Sequence, residues 1–252
     1  MDGETLVQAV RQELSLGRLA PLGTPADGAW LAERAAAPVL RAAVRAAVPT
    51  ARLHVVRPAV AGPVTGPFAV PPPPGALPPG PVLLQARCAL PPGRPLPEQA
   101  AELRLALATA AGERLGLDLA GVDVTVAELL DEPPDRVAGP RERDGERGEP
   151  ARPALAPVPA AGAEATVATA VLAVPGVVGL AAHGGQGAGV RLTRTASGPL
   201  LRLGLVLDGS RRALDVAREV RAAAAGALPG AAAGASPAVS LLITDLTGPG
   251  PA

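Results

Sequence analysis

The chain has 252 residues, of which 55 are Ala, 31 Pro and 30 Gly, and 23 Arg balance 23 acidic side chains to a formal charge of zero. That balance leaves no whole-chain electrostatic footprint for nucleic acid or an anionic membrane. One cysteine, Cys88, excludes an intrachain disulfide framework and a cysteine-rich zinc site, and two histidines, His54 and His183, leave little for a metal or acid–base centre. The absence of Lys and Asn, with one Ile, one Phe (Phe68) and one Trp (Trp30), reflects GC-rich coding before it reflects physics. Hydrophobic residues make up 48 % of the chain, which argues for a globular protein. Alanine buries little area, so the core must be built of Val and Leu.

In chain order, residues 1–29 read as an N-terminal helix and loop. Leu6, Val10 and Leu14 recur at four-residue spacing over 4–16, and Gly17 is the stop. The acidic Met-Asp-Gly-Glu start predicts no signal peptide. A first αβ unit spans 30–130. It opens with a helix from Trp30 to Val48, kinked at Pro38 or starting after Ala37, and closed by Pro49. A strand through Leu53, Val55 and Arg57 follows, then a Pro-rich insertion over 58–81 whose natural state is polyproline conformation. Val82–Leu90 is an apolar strand. Pro97–Leu115 is a helix capped by Gly116, and Val122, Val124 and Val126 alternate as a half-buried strand.

Residues 131–162 form a charged Pro/Gly linker: twelve of the 22 residues in 131–152 are charged and no apolar face exists. A second αβ unit spans 163–247, before a tail at 248–252. Its elements are a helix over Ala165–Val174, a strand over Val177–Ala181, a Gly-rich turn from His183 to Gly189, paired strands Val190–Thr195 and Leu200–Leu207, a long Ala-rich helix from Ala213 with Ser210 as N-cap candidate, and a strand through Val239, Leu241 and Ile243. The uncharged run Ala165–Val190 is long enough to span a bilayer, but Pro175, Gly176 and Gly179 break its middle and four glycines fill its end. No direct membrane insertion is expected.

The halves match in order, and the closing strands align without gaps: Val122, Val124, Val126, Glu128 and Leu129 with Val239, Leu241, Ile243, Asp245 and Leu246. Shared Ala-rich composition is the competing explanation. Alternation at fixed phase is harder to obtain from composition and favours a domain duplication. The expected fold class is therefore α/β, of the two-layer α+β kind: two similar α-β-β-α-β units, each a small sheet with helices on one face.

Residues 166–246 resemble the alkaline-shock, general-stress envelope protein family of Gram-positive bacteria. The segments that carry the likeness are Val174-Pro175-Gly176-Val177-Val178-Gly179-Leu180, the strand Leu200–Leu207, the helix bearing Val216, Val220 and Arg221, and the ending Val239–Leu246. Through Leu16-Gly17-Arg18-Leu19, Pro21-Leu22-Gly23, Asp27-Gly28-Ala29-Trp30, Leu77-Pro78-Pro79-Gly80-Pro81, Glu113-Arg114-Leu115-Gly116-Leu117 and Val122-Asp123-Val124, the whole chain resembles an uncharacterised actinobacterial group labelled after the nucleopolyhedrovirus P-ten fibrous protein. The stress-family resemblance implies a non-enzymatic interaction or scaffold protein, cytoplasmic or at the inner face of the membrane, held there by a small membrane-anchor partner. A nucleic-acid-binding α/β module is the alternative, resting on fold analogy alone.

Motifs with chemistry are sparse, and neither an enzyme nor a cofactor is expected. Gly184-Gly185-Gln186-Gly187 lacks the Lys and following helix of a phosphate loop. Alternation turns His54 away from Leu53 and Val55, toward solvent or a polar edge, and His183 is a lone loop histidine. Cys88 is expected buried and reduced. Asp123, Glu128 and Asp131, with Asp245 repeating Glu128, read as a solvated sheet face. Arg211, Arg212, Arg218 and Arg221 read as surface partners of Asp208, Asp215 and Glu219. Without excess positive charge or stacking aromatics, no nucleic-acid partner is expected. The run Pro71, Pro72, Pro73 and Pro74 is the one candidate for partner docking, as a polyproline ligand or a stiff surface loop.

Overall fold

The computed structural model describes residues 15–62, 68–130, 155–182, 188–196, 198–228 and 237–248. Strands β1 (Leu19–Leu22) and β2 (Ala29–Ala32) lead into helix α1 (Glu33–Ala47). The first unit continues with β3 (Arg52–Val60), β4 (Val82–Leu90), α2 (Leu96–Thr109), a π-helical turn (Ala110–Leu115) and β5 (Leu119–Leu129). The second has α3 (Gly162–Leu172), β6 (Val177–Leu180), β7 (Val190–Thr195), β8 (Gly198–Leu207), α4 (Ala213–Gly226) and β9 (Ala238–Leu246).

Both halves hold an antiparallel pair followed by a helical crossover to a parallel strand, but the first runs α-β-β-α-β and the second has one strand more, α-β-β-β-α-β. In the first, β3 runs antiparallel to β4, and the α2 crossover brings β5 parallel to β4. In the second, β6 and β7 pair in succession along one side of β8, Leu180 opposite Leu205 and Val190 opposite Leu203. The α4 crossover then lays β9 parallel on the other side of β8. Most of the glycine turn expected between β6 and β7, residues 183–187, lies outside the described residues, as do most of the linker over 131–154 and the N-terminal 1–14. Of the helix expected at 4–16, Ser15 and Leu16 are described, and both are helical.

The main correction concerns residues 19–32. The expected loop and the start of the expected helix are instead two fully buried strands, LAPL and AWLA. Four-residue apolar runs bury on both faces, so they lack the alternation by which strands are read. β2 pairs in parallel with β9, placing Trp30 beside Leu242, and β1 pairs antiparallel with β2. The second unit's sheet therefore has six strands, in the order β1-β2-β9-β8-β6 with β7 also on β8, while the first unit's sheet keeps three, β3-β4-β5. Helix α1 starts at Glu33 and runs through Pro38, which is exposed, so the Arg34 carbonyl left without its donor lies on the solvent side.

The chain between β2 and β3 ties the units together. α1 packs against β2 and β9 of one sheet, β3 of the other, α2 and the π-helical turn. Leu40 and Val44 of α1 are almost wholly buried, as are Leu103, Leu107 and Leu115 of the next helical segment. Further contacts join the units directly. Gly23 N donates to Gly116 O at 3.1 Å, and Arg212 Nε to Gly112 O at 3.0 Å. Gly116 is left-handed (φ 88°), and a Cβ built on it would stand 2.3 Å from the Leu214 Cβ. Bulk is excluded there, so only glycine lets the end of the π-helical turn meet α4.

Each side of the six-stranded sheet carries a short bridging segment at its outer edge. Ala76 bridges Leu19 of β1, and Leu77 N donates to Leu19 O at 2.9 Å. On the far side Leu155 bridges Ala181, and Ala156 N donates to Leu180 O at 2.8 Å. Both covering segments are bounded by prolines, which cannot extend a ladder further. Among the described residues, neither outer edge of the three-stranded sheet, β3 or β5, carries a pairing strand.

Candidate functional site

The uncovered edge of β3 faces helix α1 across a groove of about 240 Å³. Five consecutive β3 residues, Leu53 to Arg57, form one wall, and Glu33, Ala37 and Arg41 form the other. Those three recur every fourth residue, so they line one stripe of α1. The stripe is about 12 Å long at 1.5 Å per residue. Leu53 to Arg57 covers about 13 Å at 3.3 Å per residue. The two walls are thus matched in length, each equal to about four residues of extended chain.

Beneath the groove Ala36 and Leu40 of α1 meet Val56, Leu84 and Leu117 around an apolar void of about 10 Å³, which gives the groove a closed floor. One end is stopped by Arg18, whose NH1 donates to Pro58 O at 3.1 Å. Pro58 is paired with Leu84 in the ladder, yet its carbonyl points outward to Arg18. By the alternation of an antiparallel ladder, the N–H and C=O of Val56 also face outward, into the groove. The lining holds Arg41 and Arg57 against one carboxylate, Glu33, which also accepts from the backbone N of Arg18 at 3.4 Å. The groove is therefore cationic on balance.

His54 sits at an irregularity in β3, where the register slips between Leu53 and Val55. The bulge interrupts the simple alternation there, and His54 lies partly exposed at a polar edge. Its side chain is 35 % exposed, and its Nε2 lies 4.0 Å from Glu128 Oε2. Cys88 is buried with Sγ 3.7 Å from the Thr125 carbonyl, and burial pushes the thiol pKa up, the opposite of what a nucleophile needs.

The acidic cluster does not assemble. Asp123 stands on an outward position of β5, Asp131 lies outside the described residues, and Asp245 pairs with Arg34 at 3.3 Å. Burial pushes the Asp245 carboxyl up, with Arg34 opposing. Among the described residues no group of three or more His, Cys, Asp or Glu could hold a metal ion.

The arginines of α4 divide. Arg211 pairs with Glu219 and Arg212 with Asp215 (3.7 Å), as ordinary surface pairs. Arg218 and Arg221 instead reach the loop between β1 and β2, a correction to their reading as partners within the helix. Arg218 grips Asp27 through Nε at 2.8 Å and NH2 at 3.1 Å, and Arg221 NH1 bonds the carbonyls of Ala26 and Asp27. Burial alone would raise the Asp27 pKa. The Arg218 and Thr24 hydrogen bonds outweigh it and hold the carboxyl below its usual range. Ser210, expected as the N-cap of α4, bonds Asp208 through N and Oγ instead, and Arg212 takes the cap position.

Pro71 and Pro74 are exposed and Pro72 and Pro73 half-buried. The run leads, through a turn closed by Ala76 N to Pro73 O at 3.0 Å, into the segment that covers β1. Trp30 Nε1 donates to Leu77 O at 3.1 Å and fixes that segment from below. The groove residues Glu33, Ala37 and Arg41 gave no sequence signal, because one alanine between opposite charges at helical spacing reads as an ordinary surface stripe.

Among the described residues no helix is long and apolar enough to cross a membrane. The uncharged run Ala165–Val190 is divided among α3, β6 and the start of β7. Comparison with family models, with curated proteins and with solved structures returned no match to this chain.

Proposed function

We propose that this chain is a non-enzymatic interaction protein that captures an extended, acidic segment of a partner protein between β3 and α1. The observation that carries the proposal is a free strand edge set beside a helix stripe of equal length. Strand addition to such an edge draws its affinity from main-chain hydrogen bonds and its selectivity from the side chains lining the groove. Here Val56 offers the main-chain groups, Ala37 leaves room for the incoming backbone, and Arg41 and Arg57 select negative charge. The stress-family resemblance suggests a small membrane anchor as the source of that segment.

The test is a pull-down from cells of origin with the wild-type chain and with Ala37→Arg, which fills the groove from a half-buried position on α1, followed by titration of labelled acidic and basic peptides drawn from the partners recovered. The expected result is that partners lost in Ala37→Arg contain an acidic extended segment, and that Arg41→Glu weakens the acidic peptide by tenfold or more, on the order of 1.4 kcal/mol. Equal binding by wild type, Ala37→Arg and Arg41→Glu refutes the proposal.

A further inference from the structure

The other uncovered edge belongs to β5. Its counterpart β9 is not free: β2 lies along it in parallel, with Trp30 beside Leu242 and Leu31 beside Ile243. The alignment of the two units sets Val124, Thr125 and Val126 where β9 has Leu241, Leu242 and Ile243. Leu242 is 4 % exposed, whereas Thr125 is open to solvent and Val124 and Val126 are only half-buried. Among the described residues, the first unit thus leaves unpaired an edge that the second fills.

We infer that β5 pairs antiparallel with β5 of a second copy of this chain, joining two three-stranded sheets into one of six strands. Self-pairing is argued from register. Irregularities at Ala120 and Ala127 bound a regular stretch, Gly121–Val126. The pleat requires the inward valines of one copy to meet those of the other, which restricts the two-fold axis to a residue rather than a gap between residues. An axis at Asp123 sets two aspartates face to face, and an axis at Thr125 runs the pairing into the bulge at Ala127. An axis at Val124 does neither. It places Val122 opposite Val126 of the second copy and Asp123 opposite Thr125.

That register also satisfies a charge. Arg87 of β4 lies beside Thr125. With the axis at Val124, Arg87, Thr125 and the Asp123 of the second copy stand in a row across three adjacent strands. Two strand spacings, about 9.6 Å, are within the combined reach of an arginine and an aspartate side chain. Among the described residues neither Arg87 nor Asp123 has an ion-pair partner within 4.0 Å, and both are exposed. Symmetry makes the new pair twice, and the interface is isologous.

Sedimentation of the full chain over a range of concentrations tests the inference. Wild type is expected to show a concentration-dependent dimer. Asp123→Arg and Arg87→Asp should each weaken it tenfold or more, and the double swap should restore it to within a few-fold. Hydrogen exchange should show the amides of residues 122–126 protected in the dimer. Both substitutions sit on exposed positions, and far-ultraviolet dichroism confirms that they fold. A wild-type chain monomeric at roughly 100 μM, which places any Kd well above the micromolar range, overturns the inference. So does a dimer indifferent to either single swap, or a double swap no better than the singles.

Discussion

Gly116→Ala probes the joint between the two units at one atom. Its cost has two parts. The left-handed backbone at φ 88° charges any L-residue roughly 1–2 kcal/mol. The new methyl would also stand 2.3 Å from the Leu214 Cβ and 3.1 Å from its Cδ2, so α4 must shift, at about 1–3 kcal/mol for overpacking. Together these give roughly 2–5 kcal/mol. Gly75→Ala is the matched control: φ is 74°, but nothing lies within 4 Å of the added Cβ. It should cost only the backbone part. Urea denaturation followed by the fluorescence of Trp30, the one tryptophan, measures both variants. Equal midpoints for the two would mean that the Gly116 turn and α4 do not meet, and the packing of one unit on the other would be wrong.

Three further outcomes follow from the same contacts. Trp30→Phe removes the donor to Leu77 O and leaves a void where the larger indole was fully buried; the lost hydrogen bond alone costs about 1–3 kcal/mol by denaturant titration, and a neutral result would detach the Pro-rich segment from β1. Asp27 ionises below its unfolded value of about 3.9, so its contribution is complete above that pH and is lost as the pH falls through the lowered folded value. Asp27→Asn should therefore destabilise at pH 7 and matter less at pH 3, and an equal effect at both would exclude the Arg218 contact as its cause. Cys88, buried with a raised pKa, should react with a disulfide reagent only as fast as the fold opens, so that added denaturant and labelling rate rise together; rapid labelling of native protein would contradict its burial.

Periodic signals were legible and contextual ones were not. The alternation of β5, the Leu face of α2 and the left-handed cap at Gly116 are local, and they are found where the sequence places them, whereas β9 is a strand at the expected place but is buried on both faces, Ser240, Leu242 and Thr244 included. The strand at Leu19–Leu22 and its neighbour Ala29–Ala32 were missed because their only pattern is uniform burial, and burial there comes from β9, some 200 residues away in the chain. The π-helical turn at Ala110–Leu115 continues the apolar face without a break, so spacing cannot distinguish it from the helix before it. The groove escaped for a different reason. Its walls, Glu33–Ala37–Arg41 and Leu53–Arg57, are each unremarkable and become a site only when α1 settles beside an unpaired strand.

The same connectivity explains why one sheet is closed and the other open. β1 and β2 extend the second unit's sheet along β9, and α1 then passes between the two sheets. Among the described residues, β9 has a strand along its outer side and β5 has none. Expressed as separate pieces, 1–130 and 155–252, the chain should therefore reassemble on mixing, since β9 without β2 exposes Leu242 and Ile243. Trp30 fluorescence should report the joining by a shift to shorter wavelength, because that fully buried ring lies beside Leu242 of β9. Fragments that fold but ignore one another would mean that the N-terminal strands belong to the first unit alone. The asymmetry between a completed sheet and an open one would then have to arise elsewhere.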